Sequence, residues 1–122
     1  MSAATLSPCN IVALVGRVAR NPSVRTLASG EESVEFDVTI PGPPSETVNV
    51  VVAASSGAAE LPGGTDVVVV GRVRRRFFRT GGATLSRTEV VASEVVPTRR
   101  AKRAATVLRG TADHLAALAD PP

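Results

Sequence analysis

Three arginines and a phenylalanine recur at every second position in the middle of the chain. They are Arg72, Arg74, Arg76 and Phe78, within DVVVVGRVRRRFFR, the stretch from Asp66 to Arg79. Period-two spacing puts alternate residues of a strand on one face. A row of guanidiniums ending in an aromatic ring suits a charged backbone lined with stackable bases. The competing reading is an edge strand whose arginines keep it from pairing with other chains. In the same register Val68 and Val70 precede the arginines, whereas Val67, Val69, Gly71 and Val73 make up the other face. One face therefore stays largely apolar while the other changes from apolar to cationic along the strand.

Further arginines join this candidate set. Arg17 and Arg20 close the first apolar segment, Arg25 sits in a short segment after it, and Arg87 falls in the last strand. Each reads either as ordinary surface solvation or as a contact to the same polyanion. Arginine outnumbers lysine 13 to one, and its planar fork matches phosphate better than an ammonium does. The formal net charge of +3 is modest, so clustering is the better signal. Recognition of a 2′-hydroxyl leaves no readable motif, and single-stranded RNA stays open beside DNA.

Other chemistries find little support. His114 is the single histidine, the carboxylates are scattered, and no Ser-His-Asp, metal-ligand or phosphate-loop spacing is present. The expectation is a protein that is not an enzyme and has no catalytic residues, metal or cofactor. Cys9 is the single cysteine, which excludes an intrachain disulfide and a thiol-based zinc site. The N-terminus lacks a basic region followed by a long apolar core, and no apolar run approaches the roughly 20 residues of a membrane span. A cytoplasmic protein with no membrane partner is expected.

The elements that must position the arginines are strands. Hydrophobic residues make up 43% of 122 residues, yet there are only three Phe and no Trp or Tyr. Valine must fill the core, and β-branched residues favour strands. Asn10 to Arg20 reads as a first strand, with Ile11, Ala13 and Val15 alternating with Val12, Leu14 and Gly16. Both faces are apolar, which calls for cover on both sides, from a helix or another subunit. Val24 to Leu27 reads as a short strand. Ser33 to Ile40 alternates Val34, Phe36, Val38 and Ile40 inward with Glu35, Asp37 and Thr39 outward. Phe36 is thus core, not a stacking platform. Glu35 and Asp37 repel phosphate on their face unless they pair with arginines of a neighbouring strand.

Thr47 to Ala54 is the next strand, and Ser55 to Leu61 has room for one or two helical turns. Thr80-Gly81-Gly82 joins the arginine strand to Ala83 through Val96 as a hairpin. Turn signals at Asn21-Pro22, Pro41 to Ser45 and Pro62 to Gly64 separate the rest. Five main strands at this spacing predict an all-β, five-stranded small barrel over residues 10–96. Residues 1–9 are expected to be a flexible N-terminus. Residues 97–122 are expected to form a basic tail, helical or flexible. There Arg99, Arg100, Lys102 and Arg103 precede Ala104, Val107, Leu108, Thr111, Leu115 and Leu118 at near-helical spacing.

The order of these segments resembles the bacterial single-stranded DNA-binding protein family over about residues 10 to 96. NIVALVGRVARNPSVRTLASGEESVEFDV is similar to that family's opening strand, turn region and second strand with a central Phe. DVVVVGRVRRRFFRTGGATLSRTEVVASEVV is similar to its Gly-Arg-x-Arg strand, hairpin and Thr-Glu-Val-Val strand. The related dimeric primosomal replication proteins share much of the plan. The resemblance implies an oligonucleotide-binding (OB) barrel, usually oligomeric, that binds single strands without sequence preference in replication and repair. The chain departs from the family at Val48-Asn49, where a Trp is common, and at Ala54, where an aromatic often stands. Phe78 keeps an aromatic where the family has Trp. The chain ends LAALADPP in place of an acidic, Phe-ended tip, so recruitment of replication or repair enzymes by such a tail is not expected.

The expected function is sequence-independent binding of single-stranded DNA through an arginine-rich, aromatic-poor face. With few aromatics, electrostatics must supply a larger share of affinity. The expected assembly is a homo-dimer or homo-tetramer, because a monomer would leave one face of the Ile11 to Val15 segment exposed. The alternative is a protein-interaction or assembly module on the same barrel.

Overall fold

Every strand segment expected from the alternation is present in the computed structural model, which describes residues 7–119. Most of the N-terminus expected to be flexible, and the terminal Pro121-Pro122, lie outside the described residues. The strands are β1 (Val12–Val18), β2 (Ser23–Thr26), β3 (Glu32–Ile40), β4 (Val48–Ala54), β5 (Asp66–Thr80) and β6 (Ala83–Pro97). One helix, α1 (Ala101–Ala119), follows them.

Five strands close into a ring. β1 pairs with β5, β5 with β6, β6 with β4, β4 with β3, and β3 returns to β1. All these pairings are antiparallel except β4 with β6. The short β2 lies outside the ring, on the edge of β3. Closure is made where Arg17 and Val18 face Thr39 and Val38. Gly16 permits it: a Cβ there would stand 2.6 Å from the Thr39 carbonyl oxygen, closer than any side chain tolerates.

Alternation explains the core. Val34, Phe36 and Val38 of β3 point inward with Val52 of β4, Val67 and Val69 of β5, Val18 of β1 and Val90 of β6. A 3₁₀ turn at Ser56–Glu60 adds Ala58 to this core. Phe36 is its one aromatic, 4% exposed. Each buried valine contributes about 1.5–3 kcal/mol relative to exposure, so many small side chains stand in for a few large ones.

β5 is covered on both faces at its start. Its inward valines fill the barrel, and outward Val68 packs with Val96 against Ala104 of α1, with Val70 and Val107 beside them. Arg103 pins this part of the helix to β6 by an ion pair with Glu94 at 3.1 Å. Leu108, Leu115 and Leu118 further along α1 are exposed. The outward face of β1 finds no such cover within the described chain, and Val15 there is 53% exposed.

The β5–β6 pairing carries one irregularity. Val70 faces Glu94 and Gly71 faces Ala92, which leaves Ser93 as an extra residue in β6. Its hydroxyl donates to the Val70 carbonyl at 3.1 Å. Simple alternation puts Leu85, Arg87, Glu89, Val91, Ser93 and Val95 on one face. The bulge breaks that set, because an extra residue inverts the alternation beyond it. Val95 therefore packs on the barrel core together with Val90 and Ala92.

Candidate nucleic-acid interface

β5 and β6 are each 15 residues long, longer than the barrel uses. β1 pairs with β5 only as far as Gly71. Two residues on, the Asn10 side chain closes that edge, accepting from the Val73 N–H and donating to the Val73 carbonyl, both at 2.8 Å. β4 meets β6 only at Val90 and Val91. Among the described residues no third strand pairs with the hairpin between Arg74 and Glu89, so it projects as a two-stranded arm. The Gly81-Gly82 turn that closes it has φ of 58° and 81°. Left-handed backbone at both positions matches the twist of a two-residue hairpin, and glycine accepts it without strain.

The arm's pairing runs unbroken from Gly71 opposite Ala92 to Thr80 opposite Ala83. The irregularity therefore lies before the arginines and leaves their alternation intact. Arg72, Arg74, Arg76 and Phe78 share one face of β5, with Glu89, Arg87 and Leu85 opposite the last three.

On this face the arginines converge on two carboxylates. Arg74 Nη2 donates to Glu89 Oε1 at 3.0 Å. Arg87 Nη2 donates to Glu35 Oε2 at 3.0 Å, and Arg25 Nη1 to the same oxygen at 3.3 Å. Arg76 Nη1 lies 3.8 Å from that oxygen, and Arg87 Nη2 lies 3.9 Å from Glu89 Oε2. Four strands contribute: Arg25 from β2, Glu35 from β3, Arg74 and Arg76 from β5, and Arg87 and Glu89 from β6. Four guanidiniums against two carboxylates leave the cluster cationic.

Glu89 is 1% exposed; its Oε1 accepts from Arg74, while its Oε2 is buried with no hydrogen-bond partner among the described residues. Burial pushes the Glu35 carboxyl up, but the hydrogen bonds and charges of Arg87 and Arg25 outweigh it and hold the group below its ordinary value. Beside the cluster runs an open groove of about 490 Å³. Ala53, Ala54 and Ala92 line it together with Arg25 on β2 and Arg74, Arg75 and Arg76 on the arm. The small side chains leave space that the arginines overlook.

The other candidate residues lie elsewhere. Arg17 is at the opposite end of β5, with its Nε 3.1 Å from Asp66 Oδ1 and both groups exposed. Arg20 is exposed just after β1. Arg72 is exposed on the arginine face but, among the described residues, has no ion pair.

The reverse face of the arm bears Arg75, Phe77 and Arg79. The arm has left the barrel there, and Phe77 is 64% exposed. The Arg75 guanidinium sits 5.9 Å from its ring centroid, within cation–π range. The signal in the sequence is the unbroken run Arg74 to Arg79, which puts arginine and phenylalanine on both faces at once. Among the described residues, no group of three His, Cys, Asp or Glu side chains is arranged to hold a metal ion. No described helix is long and apolar enough to cross a membrane.

No protein-family model matches the chain, and no curated protein does at a significant level. Its fold is similar to that of a Plasmodium falciparum SSB solved in complex with ssDNA, with a TM-score of 0.62 and 18% identity. The match covers 77% of this chain and 98% of the other. The five-stranded ring with its C-terminal helix is thus an OB fold, as expected.

Proposed function

We propose that this chain binds single-stranded DNA, without sequence preference, along the arginine face of the arm and the adjoining groove. One observation carries the reading: Arg25, Arg74, Arg76 and Arg87, far apart in sequence, converge beside an open groove. Similarity of fold to a protein solved with ssDNA supports it. Guanidiniums neutralise phosphates and release condensed counterions, which favours binding at low salt. Phe78 on the same face, and Phe77 on the reverse face, offer rings to bases at about 1–3 kcal/mol per stacked base. No step is catalytic, and the chemistry is the same for any base.

The exposed Val15 and Ala13 on the outer face of β1 support assembly into a homo-oligomer, because an apolar strand face gains by burial. The same face favours a second reading, an assembly module that ignores nucleic acid. Binding of labelled single-stranded and duplex DNA and RNA across salt, with mass measured alongside, separates the two. The proposal expects single strands to bind tighter than duplex, with affinity falling steeply as salt rises. A stable oligomer that ignores every oligonucleotide at low salt would favour the assembly module instead.

A further inference from the structure

We propose that Glu35 holds the place of a strand phosphate, as a built-in competitor that Arg25, Arg76 and Arg87 exchange for a phosphodiester. The inference rests on the single-strand binding proposed above. It is motivated by one oxygen, Glu35 Oε2, which receives Arg87 at 3.0 Å, Arg25 at 3.3 Å and Arg76 at 3.8 Å. Three guanidiniums from three strands around one anionic oxygen form an anion cradle.

The occupant does not satisfy the cradle. Arg87 Nε is buried and has no hydrogen-bond partner among the described residues, while its Nη2 is spent on a single carboxylate oxygen. A phosphodiester presents two non-bridging oxygens, and Arg takes such a pair through Nε and Nη2 together. The exchange therefore gives Arg87 a hydrogen bond that it lacks with Glu35.

The arginines are also placed to turn outward. The Glu35 side chain is 23% exposed, whereas Arg76, Arg87 and Arg25 are 31%, 35% and 49% exposed. An approaching strand meets the guanidiniums before the carboxylate. Glu89 differs in kind. It is almost fully buried, with Oε1 bonded to Arg74 and Oε2 without a hydrogen-bond partner among the described residues, so it lies too deep for a strand to take its place. Until the strand arrives, Glu35 keeps the three guanidiniums gathered, at the cost of affinity.

The test compares Glu35→Gln with Glu32→Gln, which removes the same charge from an exposed position at the start of the same strand. Binding of a fluorescein-labelled oligothymidylate is read by anisotropy across salt. Glu35→Gln is expected to bind tighter than wild type by about fivefold or more, the size of a modest coupling between sites. Glu32→Gln gains only through the long-range field, and that gain fades as salt rises. If wild type binds but Glu35→Gln gains no more than Glu32→Gln, the inference falls and the proposed function stands. If none of the three binds at low salt, both fall. Should Glu35→Gln fail to fold, the wild-type protein serves. Its Glu35 carboxyl, followed by NMR, should titrate at higher pH in the oligothymidylate complex, because its arginines have moved to the phosphate. An unchanged midpoint overturns the inference.

Discussion

The two ends of β5 have opposite fates. From Val67 to Val70 the strand is covered on both faces, by the barrel core on one side and by α1 on the other. From Arg72 to Thr80 the same strand, in unbroken pairing with β6, leaves the barrel and is mostly exposed. Hydrophobic burial holds the first half. Cross-strand pairing and a small set of ion pairs hold the second. The arm's order thus depends on the groups that bind a polyanion in the proposed function. Stability and binding are separable at the base and coupled at the arm.

The largest contrast is between two phenylalanines. Phe36→Ala in the barrel should destabilise by about 3–5 kcal/mol, as for other buried aromatics. Phe77→Ala on the arm should stay within about 0.5 kcal/mol of wild type. Denaturant unfolding of both variants checks this, and equal losses would mean that the arm is part of the core.

Glu89 is the point where the arm joins the barrel. Glu89→Ala removes the buried partner of Arg74 and should cost about 1–3 kcal/mol of stability. Its protection against amide exchange should fall first in the arm. A uniform loss over all strands would show that arm and barrel open as one unit.

Phe78→Ala should weaken single-strand binding by about 1–3 kcal/mol and leave the salt slope nearly unchanged, because stacking releases few ions. A titration at several salt concentrations separates this from an electrostatic effect. Unchanged affinity would remove Phe78 from the site.

The smallest effect concerns acid. The Glu35 carboxyl lies below its ordinary value in the folded protein because Arg87 and Arg25 outweigh the effect of burial. Its pairing therefore stabilises fully above the unfolded value and is lost as pH falls through the folded one. Glu35→Gln should lose less stability than wild type between neutral and acid pH. Parallel acid profiles would mean that the Glu35 ion pairs contribute nothing to folding.

Much of the barrel was legible in the sequence. The alternation from Val34 to Ile40 has its apolar residues inside, and the paired glycines after Thr80 close the hairpin. The β6 bulge was not legible, because Ser93 carries no mark that sets it apart from a residue in register. Nor was the reach of the arm, since nothing in Asp66 to Thr80 says where β1 stops pairing. Of the candidate site, the period-two face could be read directly. That Glu35 pairs with arginines was one of two readings left open by alternation. That Arg25 and Arg87 are those arginines depends on the strand order β5-β6-β4-β3-β2, which local spacing does not encode.

The central claim is that the arginine face of the arm carries the strand. The most direct test is the salt dependence of single-stranded DNA binding by a folded Arg72→Ala, Arg74→Ala, Arg76→Ala variant, set against wild type. The account predicts a strong loss of affinity at low salt and a flatter slope, by up to about 0.7 per phosphate contact removed. A folded variant with wild-type affinity and slope would contradict it.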